Sequence, residues 1–246
     1  ETIVAHWQEA YNAPHTVVEQ GFKCEIDADR VAFMVEQHDP DIVTEDVRQL
    51  SKTRVCNMLD GKMIRLPWSG IIGIGFSCTS ITAENNHRKN NKGCVRRKIG
   101  ETGETFDGAQ EIIGRQRNKI TFLENLDALK TMYAWDGEMS SDLDYIREVF
   151  EAKGMTMLHR SMESLIHGAP HSLNRLWMVI LDMPTWKAKA LKVEAKFLEI
   201  LNSLKLDPSK PEDFFLTEEQ IASVLSPSVR FAPSKTKKAK QDENWK

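Results

Sequence analysis

The chain predicts an α/β fold with a largely parallel sheet. Three observations carry that prediction. Short β-rich apolar runs alternate with helical patterns through about the first 180 residues, the helical segments are long enough to serve as crossovers, and acidic or polar turns close most of the apolar runs. Parallel neighbours need a crossover between them, and such crossovers are right-handed.

In chain order, residues 22–26 read as a strand and 29–37 as a helix with an apolar middle. Ile42 and Val43 make a short strand that ends in the acidic turn Glu45-Asp46. Residues 70–76 form a glycine-containing apolar strand, followed by a polar loop over 77–103. Ala109, Ile112 and Ile113 fall at helical spacing within 107–116, and 119–123 returns to strand. Leu143, Ile146, Val149 and Phe150 share one helix face, with Gly154 as the stop signal. Residues 155–158 and 176–181 are two further strands.

The pattern changes after Pro184. A long basic helix over 185–204 carries Ala190, Val193, Phe197, Ile200, Leu201 and Leu204 on one stripe. Pro208 and Pro211 break it, and Thr217-Glu218-Glu219-Gln220 opens a short second helix over 217–225. From Ala232 the chain is lysine-rich and poor in apolar residues, which predicts a disordered tail. The predicted organisation is therefore a catalytic-type α/β unit over 1–184, a helical extension over 185–231 and the tail over 232–246.

Composition excludes several classes. Apolar residues make up 41% and charged residues 28% of 246, which is enough to bury a core and is neither membrane-like nor disordered overall. The net charge of −3 gives no global attraction to nucleic acid, so any such binding rests on local patches. Cys24, Cys56, Cys78 and Cys94 show no CxxC pairing, so no metal site and no disulfide framework is expected, and the compartment reads as reducing. No membrane span is present in the hydropathy pattern. The chain opens on Glu1 rather than a methionine, and a processed, excised or incomplete sequence is expected.

In open α/β sheets the working residues lie in loops beyond the carboxyl ends of strands. Those loops hold Glu25, Asp46, Cys78 and Glu124. An acidic residue after an early strand suits a ribose hydroxyl, and a carboxylate after the next can accept from an adenine amino group. Cys78 follows the strand over 70–76 on a polar loop where a thiolate can be exposed. A cysteine nucleophile with a carboxylic acid suits attack on an electron-poor ring: sulfur adds to one carbon, and the acid engages a ring nitrogen.

These residues carry a resemblance. Gly75-Phe76-Ser77-Cys78-Thr79-Ser80-Ile81-Thr82 resembles the G-F-P-C-Q-x-F-S loop of the cytosine-C5 methyltransferases. Thr102-Gly103-Glu104-Thr105-Phe106-Asp107 is similar to the helix start that follows it, and Phe122-Leu123-Glu124-Asn125-Leu126 resembles the E-N-V signature. The segment from Gly168 through Arg175 to Val179 resembles G-x-P-Q-x-R-x-R-x-x-M-V. Cys24-Glu25-Ile26-Asp27 and Glu45-Asp46 match the two acidic cofactor positions. The motifs run in order over about residues 20–182.

The resemblance implies a doubly wound, Rossmann-like sheet of the S-adenosylmethionine-dependent methyltransferase type, missing its first strand, with a short helical C-terminal extension. It implies Cys78 as nucleophile, Glu124 on cytosine N3 and its amino group, and Arg175 near the base O2 and the cysteine. It implies Glu25 and Asp46 as contacts to S-adenosylmethionine, and Asn125 as a brace for the loop. The implied substrate is DNA, with the target base taken out of the helix stack, and the implied location is the nucleus. A tRNA-directed enzyme and a non-catalytic scaffold are the two rival readings.

The departures are specific. Ser77 stands at the proline position, Thr79 at the glutamine, Thr82 at the closing serine, His171 at the second glutamine and Leu173 at the first arginine. The glycine-rich first motif is missing, since residues 1–20 contain no glycine, and without the first strand two neighbouring strands are expected to keep open edges. The loop after Cys78 is basic (Arg88, Lys89, Lys92, Arg96, Arg97, Lys98) and can meet phosphates beside a flipped base; Arg88, Lys89, Arg96 and Arg97 are the candidate nucleic-acid contacts.

Overall fold

A computed structural model describes residues 21–169 and 171–182, with isolated positions between 195 and 210. The expectations for 1–20, for the helical extension and for the lysine-rich tail lie outside the described residues.

The first unit is β1 (Lys23–Cys24), α1 (Ala28–His38) and β2 (Val43–Thr44), with β1 and β2 parallel. Asp27 starts α1 by accepting from the backbone N–H groups of Asp29 and Arg30, and Asp39 ends it in the left-handed conformation. A small antiparallel ribbon follows, β3 (Val55–Cys56) with β4 (Met63–Ile64). The second unit runs through β5 (Ile71–Gly75), a single turn α2 (Cys94–Arg97), α3 (Gly100–Gln116) and β6 (Ile120–Asn125), again with parallel strands. A hairpin of β7 (Tyr133–Trp135) and β8 (Glu138–Ser140) turns on Asp136 and Gly137, both at positive φ, as a tight two-residue hairpin loop requires. Ser141 and Asp144 form a capping box at the start of α4 (Asp142–Ala152), which leads through Gly154 (φ 76°) into β9 (Thr156–Glu163) and β10 (Asn174–Leu181).

The main sheet has the order β5-β6-β10-β9. Only β5 and β6 are parallel in it; β10 runs antiparallel to both β6 and β9. The expectation of a largely parallel sheet is corrected to a mixed one. The reason is the connection between Glu163 and Asn174, whose one helical feature among the described residues is a 3₁₀ turn at Ser164–Ile166. Without a crossover helix the chain returns beside β9 in the opposite direction. A second correction concerns α3, which begins at Gly100 inside the segment expected to be loop. Thr102 and Gly103 are buried there, and a Cβ at Gly103 would lie 2.3 Å from the Cys94 carbonyl oxygen. Tertiary packing thus starts the helix before its apolar periodicity does.

Strand alternation sorts the sheet into two faces. Leu123, Leu176, Met178 and Ile180 pack on Phe106, Ile112 and Ile113 of α3 and on Ile146 and Phe150 of α4, forming the core. Leu158, Val179 and Leu181 cluster with Ile120 on the opposite face, which leaves Phe122 and Trp177 partly exposed. The β1–β2 pair shares no backbone hydrogen bond with the main sheet. A cleft of about 530 Å³, lined by Phe22 and Cys24 on one side and by Ile72 and Ile74 on the other, separates β1 from β5. Among the described residues no strand occupies it, and Ile71 at its edge is 62% exposed.

Candidate active site

The carboxyl ends of β1, β2, β5 and β6 open on one side of the molecule. Glu25, Asp46, Cys78 and Glu124, which follow or end these strands, line a single cavity of about 650 Å³. That volume is in the range of small-molecule and cofactor sites. The cavity is also lined by Arg30, Arg48, Glu101 and Thr105, which the sequence reading did not single out.

Cys78 sits half-buried in a tight turn just past β5, where its carbonyl accepts from the N–H groups of Ile81 and Thr82, both at 3.0 Å. Two neighbours fix this turn. Asn125, buried at the end of β6, donates from Nδ2 to the carbonyls of Phe76 (2.8 Å) and Ser77 (3.4 Å), so the bracing contact expected of it is present. The first two turns of α3 supply the rest. Ser77 N–H donates to Thr105 Oγ1 at 3.0 Å, Ser80 N–H to Thr102 Oγ1 at 3.1 Å, and Thr102 N–H to Ser80 Oγ at 3.3 Å. Held this way, the turn places Cys78 on the wall of the cavity.

Glu124 lies on the face opposite Asn125, beside Gly75 on β5 and Trp177 on β10. A Cβ on Gly75 would come within 3.2 Å of Glu124 Oε2, so the glycine leaves room for the carboxylate. Arg175 lies on the same face two residues before Trp177 and reaches Glu124 diagonally, with Nε 2.7 Å from Oε1. Arg175 therefore joins the site through Glu124, and is not itself among the residues lining the cavity.

The two acidic residues at the other end are differently engaged. Glu25 Oε1 accepts from the N–H groups of Ile26 (2.9 Å) and Asp27 (3.0 Å), while Oε2 has a long contact of 3.9 Å with Arg30. Asp46 is gripped by Arg48, whose Nη2 lies 2.8 Å from Oδ2 and whose Nε donates to both carboxylate oxygens. That guanidinium holds the Asp46 carboxyl below the ordinary carboxylate value. Arg48 also pairs with Glu104 of α3 at 3.0 Å, tying this end of the cavity to the helix.

The four candidate phosphate contacts are not equivalent. Arg96 is drawn into the fold: its side chain is 13% exposed, pairs with Glu148 at 3.0 Å, and packs over Trp135 and Tyr145. Arg97 turns back to the carbonyls of Asn90, Lys92 and Gly93. Arg88 and Lys89 are exposed and line a separate cavity of about 240 Å³ beside the Cys78 loop, with Arg88 donating to the Ala83 carbonyl. Of the four, Arg96 is drawn into the fold, while Arg88, Lys89 and Arg97 are exposed, the two arginines bonded to backbone carbonyls of their own loop.

The other cysteines sort by burial. Burial, then the Asp142 carboxylate, pushes the Cys94 thiol up to about 12, and burial pushes Cys24 up to about 11. Both stay protonated near neutral pH, which suits packing positions. Cys56 is exposed and lies outside the site. No group of three or more metal-ligating side chains occurs among the described residues.

The chain matches no protein-family profile and no curated protein. Among solved structures, it is similar to a Dnmt2 methyltransferase from S. pombe at 11% identity, covering 72% of this chain and 47% of that one, with a TM-score of 0.42. It is similar to the Entamoeba histolytica methyltransferase EhMeth at 11% identity, over 72% of this chain and 49% of the other, with a TM-score of 0.40. A mutant of Spodoptera frugiperda DNMT2 matches at 10% identity over 70% and 45% of the two chains, with a TM-score of 0.43. The chain spans about half the length of the solved structures it matches.

Proposed function

We propose that this chain transfers a methyl group from S-adenosylmethionine to C5 of cytosine in DNA, through a covalent adduct on Cys78. The observation that carries the reading is convergence: a braced cysteine, a paired glutamate and two further carboxylates, at the carboxyl ends of four strands, line one cavity.

The residues fit the cofactor by size and by chemistry. Glu25 retains a carboxylate oxygen with only one long ionic contact, suited to a ribose hydroxyl, and Asp46 lies at the same end, suited to an adenine amino group once its hold on Arg48 relaxes. When bound, S-adenosylmethionine supplies an electrophilic methyl group.

The chain's own residues do the remainder. Cys78 sulfur, as thiolate, forms a bond to cytosine C6. Glu124 hydrogen-bonds or protonates N3, so the electron pair released by that addition is held on C5 and its conjugated ring. With the cofactor bound, C5 would take the methyl group, and the electron pair of the broken sulfur–methyl bond would stay on the cofactor sulfur as a neutral thioether. Loss of the C5 proton to water would return the pair to the ring and expel Cys78 as thiolate. Arg175 holds the Glu124 carboxylate in place through the 2.7 Å contact. Arg88 and Lys89, exposed beside the Cys78 loop, suit phosphate contacts around a flipped base. A nuclear location belongs to the same proposal.

The test is transfer of a labelled methyl group from S-adenosylmethionine to cytosine-containing DNA, with tRNA assayed in parallel and Cys78→Ala as control. Transfer to DNA that the substitution abolishes supports the reading. Transfer to tRNA alone replaces the substrate but keeps the chemistry. No transfer to either, from folded protein that binds the cofactor, overturns the proposal in favour of a scaffold.

A further inference from the structure

Both residues flanking Cys78 depart from the pattern the loop otherwise resembles, and the structure brings them onto a common partner. Thr79 Oγ1 donates to Glu101 Oε2 at 2.8 Å, and Ser77 Oγ donates to the same oxygen at 3.4 Å. The two hydroxyls also lie 3.0 Å from each other, and Thr79 N–H donates to Ser77 Oγ at 3.3 Å. Glu101 is in the first turn of α3 and lines the same cavity as Cys78. We propose that Glu101 is a positioning residue for Cys78, clamping the nucleophile's turn through Thr79 and Ser77.

The argument is one of compensation. A proline before the cysteine would fix φ by its ring and would have no N–H to donate. Ser77 lacks that rigidity but has the N–H, which is bonded to Thr105 Oγ1, and Thr105 Oγ1 in turn donates to the Glu101 carbonyl at 2.5 Å. Ser77 and Thr79 thereby close two loops of hydrogen bonds onto one residue of α3. The turn is held by a network where the resembled pattern uses a ring. An acidic residue in the first helical turn also favours the helix by itself. That role requires neither hydroxyl, so the two accounts separate experimentally.

The inference rests on Cys78 being the nucleophile, but its test does not require methyl transfer. The rate of Cys78 alkylation by iodoacetamide is followed in the full chain by peptide mass spectrometry, across the neutral to alkaline range. Cys94, which is buried, serves as the internal control for global unfolding. Glu101→Ala and Thr79→Val should each raise the Cys78 rate about three- to tenfold, the ratio expected for loss of one hydrogen bond. The double substitution should do no more than Glu101→Ala alone, because that substitution already removes the Thr79–Glu101 contact. Glu101→Gln keeps an acceptor oxygen and should stay near wild type in rate and in pH midpoint. Unchanged rates in Glu101→Ala and Thr79→Val would overturn the clamp. So would independent, multiplying effects, or a Glu101→Gln profile matching that of Glu101→Ala, which would assign the effect to charge. If alkylation behaves as expected but no methyl transfer is found, the clamp stands and the proposed function fails.

Discussion

Glu124 Oε1 lies 2.7 Å from Arg175 Nε, and this contact joins two strands that run antiparallel in the sheet. Both side chains are 29% exposed, so the pair is screened and its worth to folding is about 0–1 kcal/mol. Its consequence lies in orientation. Arg175→Ala should change the urea midpoint little while slowing adduct formation on cytosine by about 100-fold, the scale of a positioned acid. Arg175→Lys should recover only part of that rate, because an ammonium cannot reproduce a planar guanidinium donor. Parallel losses of stability and rate would contradict a positioning role.

Asp46 and Arg48 give the acid-side prediction. The folded carboxyl titrates below its ordinary 3.8 because Arg48 hydrogen-bonds it. A depressed folded value contributes stability that is present above 3.8 and is lost as pH falls through the lower folded value. Asp46→Asn should therefore be less stable than wild type at neutral pH and should show a shallower loss of urea midpoint below pH 3.8. Identical acid limbs in the two proteins would remove Asp46 from the linkage.

Asp142 predicts the opposite sign. It is buried against α2, accepting from Arg96 N–H and the Tyr133 hydroxyl at 3.2 Å each, and burial raises its pKa above 3.8. The folded protein thus holds the proton more tightly than the unfolded chain. Stability is lost as pH rises from 3.8 through the raised value. Asp142→Asn keeps an acceptor oxygen without the charge, and should equal or exceed wild type at neutral pH. That advantage should disappear below pH 3.8. Asp142→Ala leaves the donors unmatched and should cost about 1–3 kcal/mol in chemical unfolding.

Two glycines of α3 set its distance from the rest of the fold. A Cβ at Gly103 would meet backbone of Cys94 and Lys98, and one at Gly108 would lie 2.7 Å from Arg48 Cα. Backbone cannot yield as a side-chain tip can. Gly103→Ala and Gly108→Ala should each destabilise by about 1–3 kcal/mol or more. Gly73→Ala, where no atom lies within 4 Å of the new Cβ, is the control and should show no such steric penalty.

The sequence exposed those parts of the site that are local. Carboxylates after short strands, a cysteine after a glycine-containing strand and Glu124-Asn125 closing β6 are all readable within a few residues. What escaped is non-local. Arg48 grips Asp46 from two residues away, but its second partner Glu104 is on α3, and no periodicity links them. Glu101 meets Thr79 only because α3 begins early, and α3 begins early because Gly103 fits against the backbone of α2. The antiparallel β9–β10 return had a visible cause, since the connection between them shows no helical apolar spacing. Arg96 read as a phosphate contact because its neighbours are basic; its aromatic partners Trp135 and Tyr145 come from later elements.

The most direct measurement is mechanism-based trapping: the protein is incubated with S-adenosylmethionine and DNA carrying 5-fluorocytosine, and adducts are mapped by mass spectrometry. Fluorine at C5 blocks the loss that releases the enzyme, so the account predicts a stable DNA–protein adduct on the peptide containing Cys78, absent in Cys78→Ala. Cofactor-binding, folded protein that forms no adduct, or forms it through Cys24 or Cys56, would contradict the assignment of Cys78 as the nucleophile.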